Sequence, residues 1–140
     1  QIPTVELEGG GRMRLVAGRF GDRQGPADTH SPMHVWDVQL PAGVRAELPQ
    51  PEGWTTLLLV LDGALRVHDG AAVGASQLIV MSHTGRALSL TAEADTRLLL
   101  LAGEPLAQPV VGYGPFVMTR KEDIAQAIQD WRAGRFGTQL

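Results

Sequence analysis

The four histidines are the residues best suited to metal binding or acid–base chemistry, because the sequence contains no cysteine. Neutral imidazole suits Fe, Mn, Ni or Cu. His34 alternates onto one strand face with Trp36, which favours a hydrogen-bonded histidine at the mouth of a barrel. His83 lies in a Ser-His-Thr-Gly turn and His68 precedes Asp69, so turn chemistry and solvation explain both. A metal site built from His34, His83 and a carboxylate is the alternative.

Other catalytic patterns do not occur in the sequence. It has no Gly-x-Ser-x-Gly elbow, and the glycines of GGGRMR and GRFGDRQG lack the strand–turn–helix setting of a phosphate loop. We therefore predict no catalytic residue, no cofactor-binding residue and no metal ligand beyond His34 and His83. Trp36 and Trp54 favour packing, with contact to a small apolar ligand at the barrel mouth as the alternative.

Composition excludes several classes of partner. The formal net charge is −3, and the 12 basic residues are scattered among 15 acidic ones, which disfavours nucleic acid as a partner. The longest apolar run, Leu57 to Leu61, is too short to cross a membrane. Absence of cysteine makes the reducing cytoplasm the default compartment.

The elements that position these residues are predicted to be short strands. Alternating apolar and polar residues, punctuated by Gly and Pro, predict one all-β sandwich or barrel over residues 1–140. Gly9–Gly11 predicts a hairpin turn, and Asp62-Gly63 between two apolar runs predicts another. Three more strands are predicted after Ser76, with breaks at His83–Gly85 and Glu93–Asp95.

The end of the chain predicts a helix over about 120–133. The run Thr119–Glu122 has the form of a capping box, in which the Thr hydroxyl and the Glu carboxylate each satisfy a backbone N–H. An apolar stripe with helical spacing runs from Ile124 to Trp131. Gly134 stands where a left-handed C-terminal cap is expected. The stripe must dock on another surface.

The closing segment GEPLAQPVVGYGPFVMTRKEDIAQAIQDWRAGRFG resembles the end of pirin-family proteins, which pass through a similar Tyr-Gly-Pro-Phe-Val-Met run into a helix. IPTVELEGGGRMRLVAG and LPQPEGWTTLLLVLDGAL are similar to the start and the central hairpin of the family's second half. The resemblance covers essentially the whole chain. It implies a cupin, an all-β double-stranded β-helix (jelly-roll) barrel, with one C-terminal α-helix.

Pirins carry two cupin barrels, and this sequence resembles only the C-terminal one. In the family the first barrel holds one metal, usually iron, through a His-x-His pair, a further His and a Glu. The corresponding slots here lie within Gln50 to Thr56 and contain no histidine, and Ala87 and Leu88 stand near the last His position. The resemblance thus implies a metal-free barrel, with iron or another divalent metal in an N-terminal cupin that is absent from this chain.

Two functional hypotheses follow. By resemblance, the chain is the structural partner of that N-terminal cupin, and the whole protein is a quercetin 2,3-dioxygenase-like enzyme or, in eukaryotes, a redox-sensitive regulatory cofactor. The start at Gln1, where the family's interdomain connection would end, favours this hypothesis. The alternative is a stand-alone barrel that binds a small apolar ligand or a protein partner, and this alternative is compatible with a monomer or a defined dimer.

Overall fold

The computed structural model describes residues 1–137, which form two compact units. The first unit is Gln1–Pro105, and the second begins at Leu106. The strands of the first unit are β1 (Thr4–Glu6), β2 (Arg12–Ala17), β3 (Arg19–Phe20), β4 (Arg23–Gln24), β5 (Met33–Leu40), β6 (Arg45–Pro49), β7 (Thr55–Asp62), β8 (Ala64–Val67), β9 (Ala72–Gly74), β10 (Leu78–Val80), β11 (Ala87–Ala92) and β12 (Thr96–Gly103).

Two antiparallel sheets make up most of the first unit. One has six strands in the order β1-β2-β5-β12-β7-β10, and the other has four in the order β6-β11-β8-β9. Buried residues alternate along β2 and β7, as expected for strands with one face on a core. A single apolar cluster contains Val38 and Leu100 of the larger sheet together with Leu48 and Leu90 of the smaller one. The prediction of a jelly-roll-type β-fold is therefore confirmed.

The Asp62-Gly63 hairpin prediction is wrong. β7 pairs with β10 and β12 in the larger sheet, whereas β8 pairs with β9 and β11 in the smaller one. The two residues form a corner at which the chain passes from one sheet to the other. The Asp62 carboxylate accepts a hydrogen bond from the Gly63 N–H at 2.9 Å, and the Thr96 hydroxyl accepts one from the Ala64 N–H at 3.1 Å. An Asp-Gly turn can serve either a hairpin or a corner between sheets. What distinguishes the two is which strands the flanking segments pair with.

The second unit contains the hairpin β13 (Val111–Tyr113) and β14 (Phe116–Met118), followed by the helix α1 (Lys121–Arg132). The helix matches its predicted position to within a residue at each end. Ile124 and Ala127 are buried, but Trp131, at the end of the apolar stripe, is 64% exposed.

The capping-box prediction at the start of α1 is wrong. Arg120, in extended conformation, is the N-cap residue, and no side chain makes the capping hydrogen bond among the described residues. Thr119 therefore lies one residue too early to cap the helix. The Arg120 guanidinium instead binds the Asp123 carboxylate through two hydrogen bonds of 2.7 and 3.0 Å.

The end of α1 matches its prediction and forms a Schellman motif. Gly134 has a φ of 68°, the left-handed conformation that favours glycine. Its N–H donates to the Trp131 carbonyl at 3.0 Å, and the Arg135 N–H donates to the Asp130 carbonyl at 2.8 Å. An Arg135–Asp130 ion pair of 3.1 Å closes the motif. Across residues 1–137, α1 included, no helix has both the length and the hydropathy that a membrane span requires.

Candidate functional site

The strand β5 and the turn before β7 bring four chemically distinctive side chains together, and we call His34, Trp36, Gln50 and Trp54 the His34 cluster. Because side chains two residues apart on a strand share a face, β5 directs His34 and Trp36 to the same side. Gln50 and Trp54 flank a turn in which the Trp54 N–H donates to the Pro51 carbonyl at 3.3 Å. The cluster therefore joins one strand face to one turn.

Aromatic stacking organises the His34 cluster. The His34 ring is stacked on Trp36, with centroids 4.3 Å apart and an interplanar angle of 17°. Trp54 lies 5.0 Å from His34 at a tilt of 46°, and Phe20 meets Trp36 edge-on at 5.6 Å. Such arrangements are favourable beyond the area that they bury.

Burial agrees with the packing that the sequence favoured for Trp36. Its side chain is fully buried in the core, with 0% exposure, and so does not lie at a barrel mouth. Trp54 is half-buried and packs against that core. Contact between either indole and a ligand stays a prediction, and at Trp36 it would require the core to open.

Several polar atoms of the His34 cluster are buried. His34 Nδ1, Trp36 Nε1 and both amide atoms of Gln50 are enclosed, and none makes a hydrogen bond of good geometry with another group of residues 1–137. The Gln50 side chain nevertheless lies close enough to act on His34 as a hydrogen-bond partner, so the hydrogen-bonded histidine expected at position 34 stays a prediction. Sequence reasoning treated Gln50 only as a position without a histidine and missed its burial, because a Gln between two prolines is typical of an exposed turn, whereas this one is 7% exposed.

The side chains of the His34 cluster do not supply the set of ligands that a metal ion needs. Within residues 1–137 there is no group of three or more His, Cys, Asp or Glu side chains that could hold one. The predicted alternative of His34, His83 and a carboxylate is thus not assembled. His83 is exposed, with Nε2 3.3 Å from Thr55 Oγ1, and Glu52 pairs with Arg86 at 2.9 Å. Amide and indole N–H groups are donors and cannot replace the missing ligands.

A second polar group in the first unit is held by ion pairing. The Asp37 carboxylate is buried and accepts two hydrogen bonds from Arg97, at 3.0 and 2.8 Å, and one from Arg14 at 3.5 Å. Hydrogen bonding by Arg97 keeps the pKa of Asp37 below its ordinary value of 3.8. Alternation along β5 places Asp37 on the face opposite to that of His34 and Trp36. The two arginines that cover it come from β2 and β12, which are distant in sequence.

Burial lowers the pKa of His34 below its ordinary value of 6.5, and the nearby Gln50 amide opposes that shift. A histidine with a depressed native pKa is protonated more readily in the unfolded chain. As the pH falls below about 6.5, protonation therefore favours unfolding, until the native pKa is passed.

We accordingly expect the free energy of unfolding to fall between pH 7.5 and the native pKa of His34, as measured by urea titration at several pH values. His34→Phe keeps an aromatic ring beside Trp36 and removes the titration, so it should show a flatter pH profile over the same range. An identical profile in the two proteins would assign the acid sensitivity to another group.

Comparison with known proteins agrees with this fold. Residues 35–137 match the family model of the pirin C-terminal cupin domain. The chain is 48% identical over 136 residues to a Pseudomonas aeruginosa protein provisionally named a quercetin 2,3-dioxygenase, and the match covers 96% of the chain and 47% of that protein. A pirin-like protein of Solanum lycopersicum is 32% identical over 140 residues, covering 97% of the chain and 47% of that protein.

Among solved structures, quercetin 2,3-dioxygenase from Acinetobacter baumannii superposes with a TM-score of 0.89 and 44% identity, covering 99% of this chain and 49% of that one. The chain thus spans about half the length of the relatives that it matches. Since the family model covers most of the described residues, the chain belongs to the pirin family, and it carries the family's C-terminal cupin domain.

Proposed function

We propose that this chain acts as the metal-free C-terminal half of a two-barrel pirin-type protein whose N-terminal cupin holds iron or another divalent metal. Its role is then structural, as a wall of the cleft that faces the metal. The activity proposed for the whole protein is a metal-dependent dioxygenase reaction of the quercetin 2,3-dioxygenase kind, because relatives at 48% and 44% identity carry that name.

The observation that carries the proposal is the chemistry of the His34 cluster. Redox-active metals in non-heme sites are held by several imidazoles and carboxylates. Here one imidazole lies beside two indoles and an amide, and Glu52, the only carboxylate between Gln50 and Thr56, pairs with Arg86. Metal and oxygen chemistry are therefore proposed for a partner barrel.

Exposed apolar residues in the second unit support a partner. The large hydrophobic side chains exposed there are Leu106, Val110, Tyr113, Val117, Trp131 and Phe136. Tyr113, Trp131 and Phe136 of this set line one groove, and exposed apolar patches typically mark an interaction site. The relatives contain about as much chain again as this one, which supplies a partner of suitable size.

A groove of about 500 Å³ lies within that unit, between the β13–β14 hairpin and α1. It is lined by Phe116, Ile128, Trp131 and Phe136, with the Phe116 and Phe136 rings 5.9 Å apart. On the proposed function, an apolar segment of the N-terminal cupin covers this groove. A stand-alone barrel would instead use the groove for a small apolar ligand or a second copy.

Metal loading tests the proposal directly. The 140-residue chain is incubated with Fe(II) and the excess metal is removed. Inductively coupled plasma mass spectrometry should then find far less than one metal ion per molecule. His34→Ala should give the same result as the unchanged chain. Stoichiometric metal that is lost in His34→Ala or His83→Ala would contradict the proposal.

The natural gene product provides the matched comparison. We expect its intact mass to be about twice the 15.0 kDa of this chain, and its metal content to be stoichiometric. A product of about 15 kDa that is a clean monomer or dimer on gel filtration would favour the stand-alone binding module. Metal in the full product without turnover of quercetin would leave the structural role intact and refute the enzymatic one.

A further inference from the structure

The outer surface of the larger sheet is apolar across four of its strands. Alternation turns every second residue of β5, β7, β10 and β12 away from the apolar cluster that the two sheets share. An antiparallel sheet with one face on a core normally presents polar side chains on the other face. Here the outward residues include a set that we call the Leu–Val face: Val35, Leu57, Leu59, Leu61, Leu78, Val80, Leu99 and Leu101.

Strand pairing makes the Leu–Val face continuous. Leu59 of β7 is in register with Leu78 of β10 on one side and with Leu99 of β12 on the other. Side chains directly opposite each other on neighbouring antiparallel strands are close enough to pack together. The adjacent row, built in the same way, consists of Val80, Leu57, Leu101 and Val35.

The Leu–Val face is open to solvent on the side of β10. The exposed large hydrophobic side chains that the structure describes in the first unit are Leu61, Leu78 and Val80, at 38%, 53% and 68% exposure. All three belong to this face, and its other members are half-buried. A contiguous apolar patch on a sheet marks a surface that another layer of structure covers.

The polar remainder of the same sheet surface is satisfied within the chain. Asp37 accepts hydrogen bonds from Arg97 and Arg14, and Arg12 donates one to the Gln39 amide oxygen at 2.8 Å. These groups already have partners, so the Leu–Val face is the part of the surface that gains from being covered. The occupant that it fits is therefore apolar.

We propose that the Leu–Val face is an interface between the two barrels of the longer protein, covered by an apolar surface of the N-terminal cupin. The inference rests on the proposed function and adds a contact surface on the first unit. Relatives at 48% and 44% identity contain about as much chain again, so an occupant the size of a domain belongs to the same polypeptide. Covalent linkage raises its effective concentration, which favours it over a second copy of this chain.

Thiol labelling tests the interface, because the chain contains no cysteine of its own. Val80→Cys places a thiol on the Leu–Val face, and Ala71→Cys, at an exposed position between β8 and β9, is the matched control. Both variants are made in the 140-residue chain and in the full-length natural product, and maleimide modification is followed by peptide mass spectrometry. We expect Val80→Cys to react about tenfold more slowly in the full-length product, and Ala71→Cys to react equally fast in both.

Leu59→Lys adds a readout on stability. Leu59 is half-buried and does not belong to the core cluster, so a lysine there can extend its ammonium group into solvent in the 140-residue chain. In the full-length product the same charge would be enclosed by the partner barrel, so we expect a clearly larger fall in Tm there. Equal falls in the two proteins would show that Leu59 matters only within its own barrel, which overturns the interface.

The labelling result separates this interface from the proposed function. Equal reactivity of Val80→Cys in the two proteins overturns the interface, whereas the mass and metal content of the natural product test the proposed function. Slow labelling already in the 140-residue chain also overturns it. A dimer on gel filtration would then identify a second copy as the occupant, and a monomer would show that the chain covers the face itself.

Discussion

Trp36→Ala should destabilise the chain by about 3–5 kcal/mol, the usual range for removal of a buried Trp. Trp36 is a fully buried member of the apolar cluster, with the His34 ring stacked on it and the Phe20 ring meeting it edge-on. Its removal leaves a large cavity that β-strands fixed by their sheet neighbours cannot fill. The measurement is the urea-induced unfolding midpoint followed by circular dichroism.

Trp54→Ala is the matched control, because the same side chain is truncated at a half-buried position. It removes a tilted contact with His34 but opens little enclosed space. We therefore expect a clearly smaller loss than for Trp36→Ala. Equal losses would show that the indole at position 36 is not the centre of the core.

Gly63→Ala should lower the free energy of unfolding by more than about 4 kcal/mol. Losses of that size are exceptional for a single substitution and arise from a few mechanisms, of which strain at an unusual backbone conformation is one. Gly63 has a φ of 79°, and a Cβ there would collide with the Asp95 carbonyl oxygen and lie 2.8 Å from Thr96 Cα. The Thr96 hydroxyl also hydrogen-bonds the Ala64 N–H, so the contacting backbone is tied to the corner and cannot retreat cheaply. Thermal unfolding of the variant would measure the effect.

Gly53→Ala separates collision from backbone strain. Gly53 has a φ of 85°, similar to that of Gly63, but a Cβ there meets nothing within 4 Å among the described residues. We expect a cost of about 1–2 kcal/mol from the left-handed conformation alone. If both variants lose the same stability, the close approach at Gly63 is not what fixes the sheet corner.

The sequence was informative where structure is local. The periodicity from Ile124 to Trp131 located α1, and Gly134 marked its end, because both depend on residues within a few positions of one another. Strand alternation likewise located β5. The Asp62-Gly63 pair was misinterpreted, since turn chemistry does not specify which sheet the next strand joins.

The His34 cluster was only half predictable, for the same physical reason. Alternation along β5 predicted that His34 and Trp36 share a face. Burial of Gln50 depends on packing between segments distant in sequence, and the turn-like context of two prolines gave no indication of it. The Arg97 clamp on Asp37 likewise joins residues 60 positions apart. No pattern within a few residues of Asp37 or Arg97 indicates that the two pair.

The position of β12 in the larger sheet affects how the protein can fold during synthesis. β12 is the last strand of the first unit to leave the ribosome, yet it pairs with both β5 and β7. A nascent chain that ends before Thr96 therefore carries two unpaired strand edges rich in Leu and Val, which are prone to associate with other chains. The sheet closes only once Gly103 has emerged, so folding of this unit follows translation of nearly all of it.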